Sequence, residues 1–138
     1  GKDFASVLGP YLVTSEEIIS NCIATPFGNK YNLEMRCTVN GELLSEGNAV
    51  DMNWTFAEII ERASYGVELY TGDIIGSGTV GTGCLLELNG TEKIKKPNYC
   101  EKWLKEGDIV EMEVEGLGKI TNKLVKSKST HSILKLKK

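Results

Sequence analysis

The segment 32–47, NLEMRCTVNGELLSEG, is the sequence feature that most constrains the fold. Its first half alternates apolar and polar residues, and an Asn-Gly pair follows at positions 40 and 41. The apolar positions are Leu33, Met35, Cys37 and Val39. Alternation with a period of two is typical of a half-buried strand, and Asn-Gly is the strongest short-range signal for a hairpin turn. The segment therefore predicts an antiparallel hairpin within a sheet.

A second hairpin is predicted in the segment 106–125, EGDIVEMEVEGLGKITNKLV, with its turn at Gly116 to Gly118. One face of its first strand carries three carboxylates, Glu111, Glu113 and Glu115, which could together hold a hard cation. We favour a solvated face, because such alternation is normal for a half-exposed strand. The expected buried side consists of Ile109, Val110, Met112 and Val114.

Two helices are expected between these strands and before them. In TFAEIIERASYG, Thr55 and Glu58 have the spacing of a capping box, which opens many helices. The apolar residues that follow fall on one helical face and are Phe56, Ile59, Ile60 and Ala63. A shorter helix is predicted from Thr14, where TSEEIIS repeats the capping-box spacing.

The segment 72–83, GDIIGSGTVGTG, contains five glycines and the pattern GxGxxG. Glycine at this density is expected where the backbone takes positive φ or approaches another group closely. A dinucleotide site also needs a strand before the pattern and a helix after it. Residues 69–75 could form the strand, but residues 82–90 indicate a second short strand instead of the helix. We therefore reject a dinucleotide site.

The sequences GDII at 72 and GDIV at 107 predict the same kind of Gly-Asp turn at two places, each leading into a strand.

Composition excludes several classes of protein. The 138 residues suit one domain, and the sequence has no apolar run long enough to span a membrane. A net charge of -3 argues against a nucleic-acid partner. The four cysteines lack CxxC spacing and only His131 could join them, which argues against a zinc site. Because no export signal is evident, reduced thiols and a cytoplasmic location are expected, without membrane or nucleic-acid partners.

Four segments, in order, resemble the C-terminal part of the catalytic domain of the fumarylacetoacetate hydrolase family. They are GKDFASVLGPYLVTSEE at 1–17, VNGELLSEGNAVDMNWTFAEIIERAS at 39–64, LYTGDIIGSGTVGTGC at 69–84 and WLKEGDIVEMEVEGLGKITNKL at 103–124. The resemblance implies an α+β fold, a mixed β-sandwich roll with few short helices. It also implies that residues 1–138 are the C-terminal portion of a single catalytic domain.

The resemblance assigns roles to four residues. Lys2 in GKDF matches an active-site lysine next to a metal ion, where its charge would stabilise an enolate. Ser6 matches a serine or threonine near that metal and could orient a water or ligand. Gly78 and Thr79 would offer a backbone amide and a hydroxyl to a carboxylate or oxo group of the substrate. The alternatives are an exposed terminal lysine at Lys2 and a simple turn at Thr79.

The resemblance further implies a homodimer and a divalent cation, Mg²⁺ or else Mn²⁺ or Ca²⁺, that binds 2-oxo or 2,4-dioxo acids. The family's main metal ligands, a Glu-x-Glu pair and an aspartate, precede the lysine motif and are not in this chain. Glu111 and Glu113 have that spacing but lie on a late strand. We expect the ligands to come from a missing N-terminal portion or a second polypeptide, and we expect the isolated chain to be inactive.

The first functional interpretation is hydrolysis of a carbon–carbon bond in a 2,4-dioxo acid of the acylpyruvate or fumarylacetoacetate type. In that reaction the cation would chelate the dioxo group, water would attack the distal carbonyl and Lys2 would stabilise the enolate. One alternative is a 2-oxo acid dehydratase, decarboxylase or isomerase of the same family. Another is a non-catalytic scaffold subunit that kept the fold without its metal half. The residues of this chain do not separate these interpretations.

Overall fold

The computed structural model describes residues 6–128, which form two sheets, two α-helices and long loops. In chain order the elements are β1 (Cys22–Thr25), β2 (Gly28–Tyr31), β3 (Glu34–Val39), β4 (Glu42–Asn48), α1 (Phe56–Ala63), α2 (Leu85–Lys95), β5 (Ile109–Val114) and β6 (Gly118–Lys123). Short 3₁₀ turns occupy Ile19–Asn21 and Ala49–Asp51. This architecture confirms the expected α+β class. In this part of the chain, neither α-helix is long and apolar enough to cross a membrane.

Both predicted hairpins are present in a four-stranded antiparallel sheet with the order β4-β3-β5-β6. Asn40 and Gly41 have φ angles of 52° and 80°, as a type I′ turn between β3 and β4 requires. Gly116 and Gly118 also take positive φ between β5 and β6. Asn40 joins the hairpins, since its side chain accepts a hydrogen bond from the Ile109 amide at 2.9 Å. The two turns thus help to fix the register of the sheet.

One face of this sheet is apolar and the other is polar. β3 and β5 place apolar side chains opposite each other in the pairs Met35–Val114, Cys37–Met112 and Val39–Val110. These residues are half-buried, except that Met112 is 43% exposed. Ile109 alternates with them and so lies on the polar face. The expectation of a buried side is therefore wrong for the described chain by itself, because too little of it covers the apolar face.

Glu111, the half-buried member of the carboxylate row, is engaged on the polar face. Its carboxylate accepts hydrogen bonds from Lys119 at 2.8 Å and from Thr121 at 3.2 Å. The Lys119 ammonium, followed by Thr121, holds the pKa of the Glu111 carboxyl below its usual value. This pairing supports a solvated face rather than a cation site at β5.

The predicted capping box at α1 is confirmed. Thr55 and Glu58 exchange hydrogen bonds between side chain and backbone, at 3.3 Å and 2.8 Å. Thr55 is 2% exposed, and its hydroxyl donates to the Phe27 carbonyl at 2.8 Å. The same residue therefore begins α1 and ties it to the turn between β1 and β2. Next to this contact, the rings of Tyr31 and Phe56 lie 6.2 Å apart.

Two strand expectations near the glycine segment are wrong. Residues 82–90 enter α2 instead of a strand, and residues 69–75 form a loop. The buried Asn89 side chain holds α2 in place by accepting from the Lys102 amide at 2.9 Å and donating to its carbonyl at 2.8 Å. Alternation over only Leu86 and Leu88 is a weak indication of a strand. The hydrogen bonds between Asn89 and Lys102 stabilise the helix instead. A helix thus does follow the glycine segment, but no strand leads directly into that segment in residues 6–128, so the strand–loop–helix order of a dinucleotide-binding unit is incomplete there.

The Gly-Asp turn does occur twice. Asp73 accepts a hydrogen bond from the Tyr70 amide at 2.9 Å, and Asp108 accepts one from the Lys105 amide at 2.7 Å. The backbone amides of the two aspartates also donate hydrogen bonds, Asp73 to the Tyr70 carbonyl at 3.0 Å and Asp108 to the Lys105 carbonyl at 3.1 Å. Only the second turn enters a strand, β5. The first leads into the glycine segment as a loop, which corrects that part of the expectation.

The helix expected from Thr14 is replaced by turns that end in the 3₁₀ turn Ile19–Asn21. Asn21 ends this segment by pairing with Asn32, whose amide donates to the Asn21 carbonyl at 2.8 Å. The Asn21 side chain donates to the Asn32 carbonyl at 3.0 Å. This pairing, to a residue far away in sequence, explains why the local helix signal is not realised.

Candidate functional site

A cavity of about 640 Å³ lies beside the apolar face of the four-stranded sheet. Its volume suits a small organic ligand, and most of its walls are apolar. Apolar residues from the N-terminal segment, the sheet and its turns line it: Val13, Ile18, Leu33, Met35, Val114 and Leu117. Tyr31 and Phe56 extend the wall toward α1. Where such apolar walls are closed to water, they strengthen the effect of the few polar groups present.

Residues 77–81 of the glycine segment form another part of the cavity wall. Gly78 has a φ of 89°, which favours glycine because a β carbon is strained in this region. Thr79 is exposed, and within residues 6–128 no partner hydrogen-bonds its hydroxyl. The glycine segment is thus part of the cavity wall, where the Thr79 hydroxyl has no hydrogen-bond partner among residues 6–128.

The glycine segment packs against strand β4. Gly47 lies against the side chain of Val80, so closely that a β carbon at position 47 would overlap a methyl group of Val80. Val80 directly follows Thr79 in the sequence. The absence of a side chain at Gly47 therefore lets the loop pack on β4 while Thr79 lines the cavity.

A polar rim completes the site, and Asp51 is its acidic residue within the described chain. Asn48 caps the 3₁₀ turn that ends at Asp51, accepting hydrogen bonds from the amides of Val50 at 2.9 Å and Leu33 at 3.1 Å. These bonds fix the turn and bring Asp51 to the cavity. The sequence pattern assigns Asp51 no role, and its one local signal is a capping asparagine three residues earlier. Ser15 also lines the cavity without a specific sequence signal.

The roles of the predicted site residues stay predictions, and the structure gives the positions of only some of these residues. Gly78 and Thr79 line the cavity as described. Ser6 is exposed and does not line it, so its role near a metal stays a prediction. Lys2 and His131 lie outside the described residues. The predicted proximity of Lys2 to Thr79 is therefore also still a prediction.

The described residues do not fit the family's metal centre by themselves. Between residues 6 and 128, no group of three or more His, Cys, Asp or Glu side chains could hold a metal ion. Asp51 lines the cavity, but Glu111 is paired with Lys119 on the polar face of the sheet. A complete metal centre at this cavity would need carboxylates from outside residues 6–128.

The chain is similar to several known proteins. A mitochondrial oxaloacetate tautomerase from Bos taurus is 37% identical over 127 residues, covering 91% of this chain and 34% of the relative. A 2,4-didehydro-3-deoxy-L-rhamnonate hydrolase from a Sphingomonas species is 33% identical over 121 residues, covering 86% of this chain and 35% of the relative. A solved structure assigned as an HpcE protein from Mycobacterium smegmatis matches with a TM-score of 0.63 at 27% identity, covering 86% of this chain and 36% of that one.

The chain thus spans about a third of the length of the relatives it matches. The family model described as fumarylacetoacetate (FAA) hydrolase C-terminal matches residues 1–125, which is nearly all of the sequence. The order of its sequence segments and the likeness to solved structures point the same way. The chain belongs to the fumarylacetoacetate hydrolase family.

Proposed function

We propose that this chain forms the carbonyl-binding wall of an enzyme that converts a 2-oxo or 2,4-dioxo acid through an enolate. The position of Gly78 and Thr79 on the wall of a largely apolar cavity carries this proposal. The Thr79 hydroxyl donates a hydrogen bond to an oxo or carboxylate oxygen of the substrate. Lys2 supplies positive charge to the oxygen on which negative charge develops as the enolate forms. Both residues act on the same bound acid.

Two reactions share this enolate step. Hydrolysis of a carbon–carbon bond in a 2,4-dioxo acid releases the enolate when water attacks the distal carbonyl. Tautomerisation instead moves a proton between the carbon and oxygen of one 2-oxo acid. The name of the bovine relative, an oxaloacetate tautomerase, favours the second reaction as a candidate, and the Sphingomonas relative is named as a hydrolase. Either reaction needs the oxo group held as Thr79 and Lys2 would hold it.

Assays of the complete protein distinguish these reactions. Acetopyruvate and oxaloacetate are offered separately with Mg²⁺, and products are followed by absorbance of the enol and by mass. Hydrolysis converts acetopyruvate to acetate and pyruvate. Tautomerisation speeds the approach of oxaloacetate to its keto–enol equilibrium without a change in mass. Turnover of neither acid would refute the proposed function and would support the non-catalytic scaffold alternative.

We further propose that another polypeptide segment covers the apolar face of the sheet and brings the carboxylates for a divalent cation. The chain exposes 11500 Å² of surface. A compact protein of this mass exposes only about 7100 Å². Leu33 is the one buried apolar side chain within residues 6–128. The partly exposed residues next to the cavity include Phe56 and Leu117, so covering them also encloses the site.

Oligomeric state and compartment are separate predictions. The resemblance to the family implies a homodimer, and a cytoplasmic location is expected from the sequence. The bovine relative is named as mitochondrial, so a mitochondrial location of this protein would be the contrary result. Size-exclusion chromatography and cell fractionation measure the two properties.

Replacement of Thr79 with valine is expected to raise KM of the complete enzyme by about 5- to 30-fold, with a smaller effect on kcat. Valine keeps the shape of threonine but removes one hydrogen bond to the bound substrate, worth on the order of 1 to 2 kcal/mol. Steady-state kinetics measure the effect. Thr79→Ser, which keeps the hydroxyl, is the matched control. An unchanged KM in Thr79→Val at an unchanged melting temperature would leave Thr79 as a turn residue only.

A further inference from the structure

We propose that Ser45 and Thr82 form a clip that positions the Gly78-Thr79 wall for substrate binding, an inference that rests on the proposed function. Ser45 lies on β4 and is 5% exposed. Its hydroxyl hydrogen-bonds the Thr82 hydroxyl at 3.0 Å. The Thr82 hydroxyl also lies 3.4 Å from the Glu46 carbonyl oxygen, to which it can donate. One side chain of the loop therefore contacts two successive residues of the strand.

The backbone at Thr82 is unfavourable for a threonine. Its φ is 70°, and a β-branched side chain in this left-handed region is an outlier. Thr82 is the third residue of a tight turn that Gly83 closes by donating to the Val80 carbonyl at 2.9 Å. Turns with positive φ at the third residue normally have glycine or asparagine there. Glycine at position 82 would relieve the strain, but it has no hydroxyl to hydrogen-bond Ser45. We infer that this hydrogen bond offsets the strain of the threonine.

The clip acts next to a second contact on the same strand. Ser45 and Gly47 are two residues apart on β4, and the loop meets them through Thr82 and Val80. Thr79 is the residue immediately before Val80. Two contacts thus hold the short segment that carries the proposed substrate hydroxyl. Loss of the Ser45–Thr82 contact removes one of these two contacts.

The test is the double variant Ser45→Ala/Thr82→Gly in the complete protein. Removal of both hydroxyls leaves no buried hydroxyl without a partner, and glycine at 82 accepts the positive φ without strain. The melting temperature is therefore expected to be equal to or above that of the wild type. KM is expected to rise about five- to tenfold, the size of one lost hydrogen bond, and kcat to change less. Thr82→Ser keeps the hydroxyl and is expected to retain wild-type KM.

Two kinetic results would overturn the proposal. One is a double variant with wild-type KM, and the other is a Thr82→Ser variant whose KM rises as much as that of the double variant. Amide hydrogen exchange of residues 77–83 provides a readout that does not depend on substrate. Exchange there is expected to be faster in the double variant than in Thr82→Ser. If the wild-type protein turns over no 2-oxo acid, the proposed function fails, and equal exchange rates in the two variants would overturn the clip separately.

Discussion

Replacement of Lys2 with methionine is expected to lower kcat of the complete enzyme by about 10²- to 10³-fold, with a smaller change in KM. A fixed positive charge stabilises the substrate oxygen most when that oxygen becomes an enolate, and the loss of one such group has an effect of this size. Methionine retains much of the length of the lysine side chain without its charge. The change is measured on acetopyruvate and oxaloacetate, because both proposed reactions pass through an enolate.

The matched control for Lys2→Met is Lys126→Met. Lys126 is exposed and does not line the cavity, so its loss should leave kcat near the wild-type value. Lys2→Arg, which keeps the charge, should retain more activity than Lys2→Met. A Lys2→Met enzyme with wild-type kcat and an unchanged melting temperature would show that Lys2 takes no part in the reaction.

The sequence predicts well those elements that are determined by residues close to one another along the chain. The Asn40-Gly41 turn and the Thr55 cap depend on residues within four positions, and both occur as expected. α2 depends on a different kind of contact, since Asn89 binds the backbone of Lys102, thirteen residues away. A pattern of two leucines cannot report that contact. The helix expected at Thr14 fails for the same reason, because Asn21 pairs with Asn32.

The site also combines features that local sequence signals predict with features that depend on contacts between distant residues. The glycine density around Gly78 predicts a surface that another group approaches closely. The resemblance to the family implies that this group is a carboxylate or oxo group of the substrate. Asp51 reaches the cavity because Asn48 caps its turn and binds the Leu33 amide across the chain. Spacing along the sequence does not reveal such a convergence. The pairing of Ser45 with Thr82 is likewise visible only once β4 and the loop are placed together.

Replacement of Met112 with glutamate is expected to prevent folding of much of the complete protein. Met112 is 43% exposed in the chain alone, in the middle of the apolar face of the sheet. If another segment covers this face, the new carboxylate is buried without a partner. Leaving a buried charge uncompensated costs about 3 to 5 kcal/mol, a large part of the net stability of a protein. Thermal unfolding and size-exclusion chromatography of the complete protein measure the loss.

Lys123→Glu is the matched control, because it places a carboxylate on the opposite, polar side of the same sheet. Lys123 is exposed and pairs with Ile109, so this variant should assemble normally. Wild-type melting and assembly of Met112→Glu would show that the apolar face stays in water, against the proposed covering segment. A variant that changes from dimer to folded monomer would instead identify a second copy of the chain as the cover. Only loss of the folded protein agrees with a segment that completes both the core and the site.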